Sequence, residues 1–263
     1  MDQWRGKWGL ITGASAGIGL ELARLLAAGG TNLVLTARRR ERLEQLGAEL
    51  TSKHGIRVDI VTGDLARPET PGEIRAFTSA KGLTIDLLIN NAGFGAYGAF
   101  HEAALERQLE MVQVNCAAVV HLTHLYLPEM VQRRRGDVLI VASVAGFQPV
   151  PYISTYAATK SFDLLFAEGL AEEVKSYNVR VCALCPGSTT TEFQQVAGQP
   201  DRAFRNAETA EKVARVGLEA LAAGKSYVIS GFQNYISTHG ERLVPRRFVA
   251  KMAAKLFAPP KTA

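Results

Sequence analysis

A tyrosine and a lysine four positions apart, Tyr156 and Lys160, are the two residues of this sequence with the clearest chemical potential. On an α-helix, side chains at this spacing project from one face, so the ammonium can lie near the phenol. An ordinary tyrosine has a pKa of about 10, and a neighbouring cation lowers that pKa toward values useful for proton transfer. Ser143 ends an apolar segment thirteen positions earlier and offers a hydroxyl that can donate to a carbonyl oxygen. These residues indicate acid–base chemistry at a carbonyl or an alcohol.

A glycine-rich segment, TGASAGIG at residues 12–19, lies between the first apolar strand pattern and the first helical pattern. Gly13, Gly17 and Gly19 allow the backbone to turn tightly and to approach a pyrophosphate, which the positive end of the following helix favours. The spacing is G-x-x-x-G-x-G. Glycine-rich turns are frequent, but the position after a strand favours a dinucleotide site.

Three arginines follow the second strand pattern, and no acidic residue appears there before Glu41. An acidic residue at this point usually holds the ribose of NAD, whereas arginine suits the 2′-phosphate of NADP. Arg38 is therefore the predicted phosphate contact, with Arg39 in support. The alternative is the solvated first turn of a charged helix, which we expect for Arg40 and Arg42. Arginines at a helix N-terminus oppose its dipole unless an anion is present.

Short apolar segments alternate with longer segments of helical period, the pattern of a parallel sheet with crossover helices. The sequence predicts one domain, residues 1–263, with an α/β fold of the Rossmann type: a doubly wound parallel sheet of about seven strands with helices on both faces. Ligands bind outside the carboxyl ends of such strands. Residues 186–206 lack periodicity and are predicted to form a lid, with a disordered insertion as the alternative. The predicted strands are residues 7–12, 32–37, 57–62, 85–90, 137–142, 179–184 and 227–230.

Composition narrows the possible classes of protein. The chain has 263 residues, 47% of them hydrophobic, and only three cysteines, which favours a reducing compartment over a disulfide framework. Cys182 and Cys185 form a C-x-x-C within a strand pattern that points them to opposite faces, so we expect no metal site. The N-terminus lacks the pattern of a signal peptide, and no segment has the length and apolarity of a bilayer span. We therefore expect a cytoplasmic protein.

The net charge of +5 arises entirely from the C-terminal tail, since residues 232–263 hold six basic residues against one acid. A basic patch confined to a tail argues against nucleic-acid binding by the rest of the chain. Within the tail, from about 241–263, an apolar row runs beside a basic row on a helix that Pro245 would open and Pro259 and Pro260 would close. Such a helix packs on its own domain or on a second subunit, or it makes peripheral contact with an anionic membrane. The apolar row is Val244, Phe248, Met252 and Leu256, and the basic row is Arg247, Lys251 and Lys255.

Over residues 6–230 the sequence resembles the short-chain dehydrogenase/reductase family, in its NADP-preferring carbonyl reductase type. The resemblance rests on motifs in the family's order and spacing. They are TGASAGIG at 12–19, Asp64-Leu65, NNAG at 90–93, Asn115, Ser143, YAATK at 156–160, and Pro186-Gly187 with Thr191.

The resemblance implies NADP(H) as cofactor and a small-molecule carbonyl or alcohol as substrate. It implies that Tyr156 is the general acid or base, that Ser143 polarises the substrate oxygen, and that Lys160 binds the nicotinamide ribose. Asn115 would hold a water of a proton relay. It also implies a homodimer or homotetramer formed through long helices, here residues 105–134 and 154–177. The expected cofactor contacts are Gly13, Ser15, Gly17, Ile18, Gly19, Arg38, Arg39, Asp64, Leu65, Asn91, Ala92, Gly93, Tyr156, Lys160, Pro186, Gly187, Thr189 and Thr191.

Two other functions share this fold: binding of NADPH without turnover, and epimerisation or dehydration of a nucleotide sugar. The complete set of four catalytic positions disfavours the first. The short C-terminal segment disfavours the second, because such relatives usually carry a longer substrate domain. Apolar residues near the predicted site suit a hydrophobic carbonyl, although half of them are expected to be core. They are Phe94, Tyr97, Phe100, Phe147, Pro149, Val150, Tyr152 and Ile153.

Overall fold

The computed structural model of the protein describes residues 2–193, 197–198 and 207–259. Its centre is a seven-stranded parallel sheet with the strand order β3-β2-β1-β4-β5-β6-β9. The strands are β1 (Trp8–Thr12), β2 (Asn32–Thr36), β3 (Val58–Ile60), β4 (Ile85–Asn90), β5 (Gly136–Val141), β6 (Val179–Cys185), β7 (Thr189–Thr190), β8 (Glu208–Thr209) and β9 (Tyr227–Ile229). The short strands β7 and β8 pair with each other beside the main sheet.

The strand order reverses between β1 and β4, because the chain runs outward from β1 to β3 and then returns to the other side of β1. Adjacent strands diverge at this point, so a crevice opens at their carboxyl ends, where ligands of doubly wound sheets bind. The predicted α/β fold is confirmed, and each predicted strand is present within two residues of its expected bounds.

Helices cover both faces of the sheet. One face carries Leu22, Leu43 and Val213 from α1, α2 and α7, and the other carries Ile74, Leu122 and Leu164 from α3, α5 and α6. Cys182 and Cys185 lie in the cores on opposite faces, as strand alternation predicts. The helices are α1 (Gly17–Ala28), α2 (Arg40–His54), α3 (Thr70–Ala80), α4 (Leu105–Val112), α5 (Ala118–Gln132), α6 (Ser154–Val174), α7 (Ala210–Ala222), α8 (Phe232–Gly240) and α9 (Arg246–Phe257).

The long helix predicted over residues 105–134 is interrupted. A π-helical segment, Gln113–Ala117, separates α4 from α5 and contains Asn115. A π-helical turn holds an extra residue and is frequent at functional sites, and a prediction of one regular helix over residues 105–134 does not include it. Leu105, Leu109 and Leu165 are exposed on α4 and α6. Formation of a homodimer or homotetramer through these helices stays a prediction.

The tail forms the predicted helix, but with a different buried face. Pro245 precedes α9, whose Val249 and Ala253 are buried. The predicted apolar row is instead exposed, with Phe248, Met252 and Leu256 each more than half accessible. Helix α8 was not predicted. Pro260 and the last three residues lie outside the described residues, as does most of the expected lid between Phe193 and Ala207.

Among the helices that the structure describes, none combines the length and apolarity required to cross a membrane.

Candidate active site

A cavity of about 430 Å³ opens at the carboxyl edge of the sheet, across the crevice between β1 and β4. This volume lies within the range of small-molecule sites. Nearly all of the predicted site residues line it. They are Gly13, Ser15, Gly17, Ile18, Arg38, Arg39, Asp64, Leu65, Asn91, Ala92, Gly93, Ser143, Tyr156, Lys160, Pro186, Gly187, Thr189 and Thr191. The exceptions are Gly19 and Asn115, which lie outside the lining and instead support it.

The glycines between β1 and α1 form a cradle that side chains would fill. Gly13 and Gly17 have φ angles of +67° and +56°, a region that favours glycine. A Cβ at Gly13 would lie 2.8 Å from Nδ2 of Asn91, and one at Gly19 would lie 2.4 Å from the carbonyl oxygen of Gly13. Gly19 therefore permits close packing of the turn on the helix, and this is why it need not touch a ligand. The N-cap residue of α1, Ala16, makes no side-chain hydrogen bond to the helix, so the first amides can receive a phosphate.

The floor of the cradle is fixed by hydrogen bonds between β1 and the segment after β4. Oγ1 of Thr12 accepts from the backbone N–H groups of Asn91 and Ala92, both at 2.9 Å. The Asn91 amide in turn donates to the carbonyl oxygen of Thr12 at 2.8 Å. The two ends of the strands that flank the crevice are therefore held at a fixed separation before any ligand binds.

The arginines after β2 divide into two environments. Arg39 donates to Oγ of Ser15 at 3.1 Å and forms an ion pair with Glu192 at 2.7 Å. Arg42 reaches the other oxygen of Glu192 at 2.5 Å, and these two arginines hold the pKa of Glu192 below its usual value. Arg38 lines the same cavity and forms no ion pair with any residue that the structure describes. Arg38 is thus the arginine available to an incoming anion.

Helix α6 presents Tyr156 and Lys160 to the cavity, as their spacing predicts, and both are buried. The Lys160 ammonium donates to the carbonyl oxygen of Val141 at 2.7 Å and to Oδ2 of Asp163 at 2.8 Å. Ser143 follows β5, and its Oγ accepts from the backbone N–H of Ala145 at 3.1 Å. The structure therefore places a phenol, an ammonium and a hydroxyl around one space.

The pKa of Tyr156 is not lowered overall, contrary to what the nearby Lys160 cation alone would predict. Burial raises the pKa of Tyr156 above its ordinary value, and Asp163 raises it further. Lys160 and a hydrogen bond with Ser143 both lower that pKa, but they do not outweigh burial. Burial by itself would lower the pKa of Lys160, whereas attraction to Asp163 and Tyr156 raises it. In the protein without ligand, Lys160 is therefore charged and Tyr156 is a protonated phenol.

Asn115 is fully buried in the π-helical segment, and its side chain forms hydrogen bonds with the backbone of Phe94. Its Oδ1 accepts from the N–H of Phe94 at 3.1 Å, and its Nδ2 donates to the carbonyl oxygen of Phe94 and to Oγ1 of Thr159, both at 3.0 Å. The side chain thus ties the segment after β4 to α6. Because its amide is engaged in these hydrogen bonds, the Asn115 side chain helps to fix the geometry of the site. The relay water that the resemblance implies stays a prediction.

Sequence reasoning missed four residues that shape the site. Glu192 pairs with the arginines, Asp163 pairs with Lys160, and Phe193 and Phe257 line the cavity. The ring of Phe193 lies 5.3 Å from that of Tyr156. Only the position of Asp163, one helical turn after Lys160, could have been found from spacing.

The apolar set expected around the substrate is only partly correct. Phe94 and Ile153 line the cavity, whereas Val150 is core and Phe100 is largely exposed. Phe147 packs against Tyr227, and Tyr97 packs against Tyr152. Pro149 is not among the lining residues either. Among the apolar residues that line the cavity, Phe94, Ile153, Phe193 and Phe257 come from four separate segments of the chain.

Comparison with known proteins agrees with this geometry. The family model described as short chain dehydrogenase matches residues 7–202. The match spans most of the chain, and the chain belongs to this family.

Relatives of known activity include a very-long-chain 3-oxoacyl-CoA reductase of Pyrenophora tritici-repentis, 36% identical over 196 residues. That match covers 73% of this chain and 58% of the reductase, so the chain spans less than two thirds of that relative's length. A 7beta-hydroxysteroid dehydrogenase of Mediterraneibacter gnavus is 30% identical over 238 residues, 89% of each chain.

A solved structure of a short-chain dehydrogenase from Sphingobium yanoikuyae in complex with NADPH has a TM-score of 0.83 and 28% identity, and the match covers 98% of each chain. The cavity at the carboxyl edge of the sheet therefore belongs to a member of the short chain dehydrogenase family.

Proposed function

We propose that the protein is an NADPH-dependent oxidoreductase that reduces a hydrophobic ketone or aldehyde to an alcohol, and catalyses the reverse reaction. The observation that carries the proposal is the meeting of Tyr156, Lys160 and Ser143 with the glycine cradle in one cavity. A binding module without turnover would not require a buried phenol beside a buried ammonium, since titratable groups with perturbed pKa values that meet in a cleft are typical of catalytic sites.

The cradle and the arginines support the choice of cofactor. The uncapped N-terminus of α1 suits a pyrophosphate, and Arg38 suits a 2′-phosphate, because the guanidinium makes charge-assisted hydrogen bonds to phosphate. An acidic residue that would hold an unphosphorylated ribose is not among the lining residues after β2. The NADPH complex of the Sphingobium relative agrees with this choice.

In the proposed reaction the bound cofactor supplies the hydride that the carbonyl carbon receives. Ser143 would donate a hydrogen bond to the carbonyl oxygen, and the phenol of Tyr156 would transfer its proton to that oxygen as the alcohol forms. Lys160 stabilises the resulting phenolate by its charge until the phenol regains a proton from water. Burial keeps Tyr156 protonated over the neutral pH range, the form that reduction requires.

The lining of the cavity supports an apolar substrate. Phe94, Ile153, Phe193 and Phe257 line the cavity together with Tyr156, and the ring of Phe193 lies 5.3 Å from the tyrosine ring. The names of the relatives refer to fatty acyl and steroid substrates, both of which place a carbonyl or alcohol on a large apolar body.

A cofactor-consumption assay tests the proposal. NADPH oxidation, followed at 340 nm, should proceed with a steroid ketone or a long-chain 3-oxoacyl thioester at a kcat/KM roughly tenfold or more above that for a polar sugar ketone, because each apolar contact contributes to discrimination. A clear preference for the sugar ketone would contradict the hydrophobic substrate. Absence of NADPH consumption with every carbonyl, by protein that still binds NADPH, would contradict the enzymatic function.

A further inference from the structure

Helix α9 exposes an apolar row that the described residues leave uncovered. Val249 and Ala253 face the protein, while Phe248, Met252 and Leu256 are 54%, 58% and 51% accessible. Exposed apolar side chains at four-residue spacing form a continuous stripe along a helix, and stripes of this kind mark binding surfaces.

The charges beside this stripe are of one sign. Arg246, Arg247, Lys251 and Lys255 are exposed, and α9 contains no acidic residue. None of these four residues forms an ion pair within the part of the chain that the structure describes. Two arginines in the first turn also oppose the helix dipole, an arrangement that a nearby anion would relieve. The surface is therefore both apolar and suited to a dense negative charge.

The end of α9 is fixed against the active site. Phe257 lines the cavity, and its carbonyl oxygen accepts a hydrogen bond from the hydroxyl of Tyr97 at 2.7 Å. Because the helix is anchored in this way, whatever binds its outer surface comes to lie beside the cavity.

We propose that the exposed face of α9 binds the surface of an anionic phospholipid membrane. The apolar stripe would enter the interface between headgroups and acyl chains, while the basic residues meet the lipid phosphates. A lipid-dissolved substrate would then be present at high local concentration next to the cavity. The membrane contact does not depend on the proposed catalytic function, since it rests on the surface of α9 alone.

Vesicle co-sedimentation of the full chain tests the membrane contact. The protein should sediment with vesicles that contain phosphatidylserine and much less with neutral phosphatidylcholine vesicles. The double variant Lys251→Gln/Lys255→Gln should reduce partitioning roughly 30-fold, from the loss of two basic residues at the surface. Phe248→Ser/Met252→Ser should reduce it by a similar factor through the lost apolar contact.

Lys53→Gln/Lys225→Gln is the matched control, because it removes the same charge from exposed positions elsewhere. The proposal is overturned if the control and the α9 lysine variant lose binding equally, or if the unmodified chain ignores anionic vesicles. A change of oligomeric state in Phe248→Ser/Met252→Ser, with lipid binding intact, would assign the stripe to a second copy of the chain instead.

A second inference arises from Asp163, which the proposed reaction does not use. This carboxylate is fully buried one turn after Lys160, and its Oδ2 lies 2.8 Å from the ammonium. Its Oδ1 has no hydrogen-bond partner among the described residues. Burial of a carboxylate with one unpaired oxygen costs free energy, so the effect of Asp163 on Lys160 requires an explanation.

The groups around the phenol of Tyr156 come from several elements. Lys160 and Asp163 share its helix, Ser143 follows β5, and the thiols of Cys116 and Cys185 lie near the ion pair. Burial raises the pKa of Cys116 to about 12 and raises that of Cys185 as well, so both thiols stay neutral. Lys160 and Asp163 are therefore the charges that act on the phenol, and they act in opposite directions.

We infer that Asp163 is a positioning residue, which holds the Lys160 ammonium against β5 and offsets its charge at Tyr156. The inference deepens the proposed function and rests on it. Two of the three donors of the ammonium are engaged by Asp163 and by the carbonyl oxygen of Val141, which leaves one for a ligand.

Asp163→Asn should therefore move the ionisation of Tyr156 to lower pH, because the phenolate gains an unbalanced cation. The loss of reductase activity with rising pH, and the gain of oxidative activity, should both occur at lower pH than in the unmodified protein. Spectroscopic titration near 295 nm, taken as the difference from Tyr156→Phe, should show a phenolate fraction roughly threefold or more higher at a fixed alkaline pH.

Glu172→Gln is the control, since it removes an exposed acid from the same helix and should leave the titration unchanged. Asp163→Ser serves as a second variant should the asparagine variant not fold. Unaltered titration of Tyr156 in a folded Asp163 variant overturns the inference. An inactive unmodified protein with the expected spectroscopic shift would contradict the proposed reaction but not the role of Asp163.

Discussion

Replacement of Tyr156 by phenylalanine should lower kcat for carbonyl reduction roughly 10²- to 10⁴-fold, the usual contribution of a positioned proton donor. The variant loses the hydroxyl beside Ser143 but keeps a ring to pack against Phe193. NADPH affinity should stay within a few-fold, because Lys160 and the glycine cradle are unchanged. Steady-state kinetics with the best substrate and fluorescence titration with NADPH measure the two effects separately.

Tyr126→Phe is the matched control, since it removes a buried hydroxyl that bonds to Thr78 away from the cavity. It should reduce stability modestly, by about 1 kcal/mol for one hydrogen bond, and leave kcat within a few-fold. If Tyr156→Phe kept a tenth or more of the activity, another group would have to donate the proton.

Arg38→Asp should reduce the preference for NADPH over NADH by a factor of roughly 10 to 100, which would reverse a preference weaker than that factor. Charge-assisted hydrogen bonds to a phosphate are worth about 1.5–3 kcal/mol, and the new carboxylate adds repulsion. The dissociation constants of both cofactors, measured by fluorescence titration at fixed ionic strength, give the ratio directly.

Arg40→Asp provides the comparison for this change. Arg40 is exposed, pairs with Glu44 and does not line the cavity, so the same charge change there should leave the ratio within about twofold, as for exposed charges generally. Equal affinity of the unmodified protein for the two cofactors would refute the proposed preference.

The positions of most site residues were predictable because they depend on local rules. A glycine cradle must follow a strand, and residues at the carboxyl ends of parallel strands must share one edge of the sheet. Tyr156 and Lys160 share a helix face by their spacing alone. For the same reason the strands and the helices on both faces of the sheet agree with the sequence pattern.

Features that depend on contacts between distant segments were not predictable. The pairing of Arg39 with Glu192 joins residues 153 positions apart, and no local pattern indicates it. The π-helical segment around Asn115 interrupts residues 105–134, which the sequence pattern predicts as one continuous helix. On α9 the sequence predicts an apolar row that includes Phe248, Met252 and Leu256, whereas the fold buries Val249 and Ala253.

Glu192 and Phe193 are adjacent in the chain and both line the cavity, but their side chains contact different groups. The first is held by Arg39 and Arg42, and the second rests against the ring of Tyr156. A ligand group that competes for Arg39 therefore acts on a dipeptide that also contacts the proton donor. Thermodynamic reciprocity requires that any influence carried this way runs equally in both directions. Ligand binding at Arg39 and ligand binding beside Tyr156 are thus linked equilibria, because the two residues involved, Glu192 and Phe193, are joined by a single peptide bond.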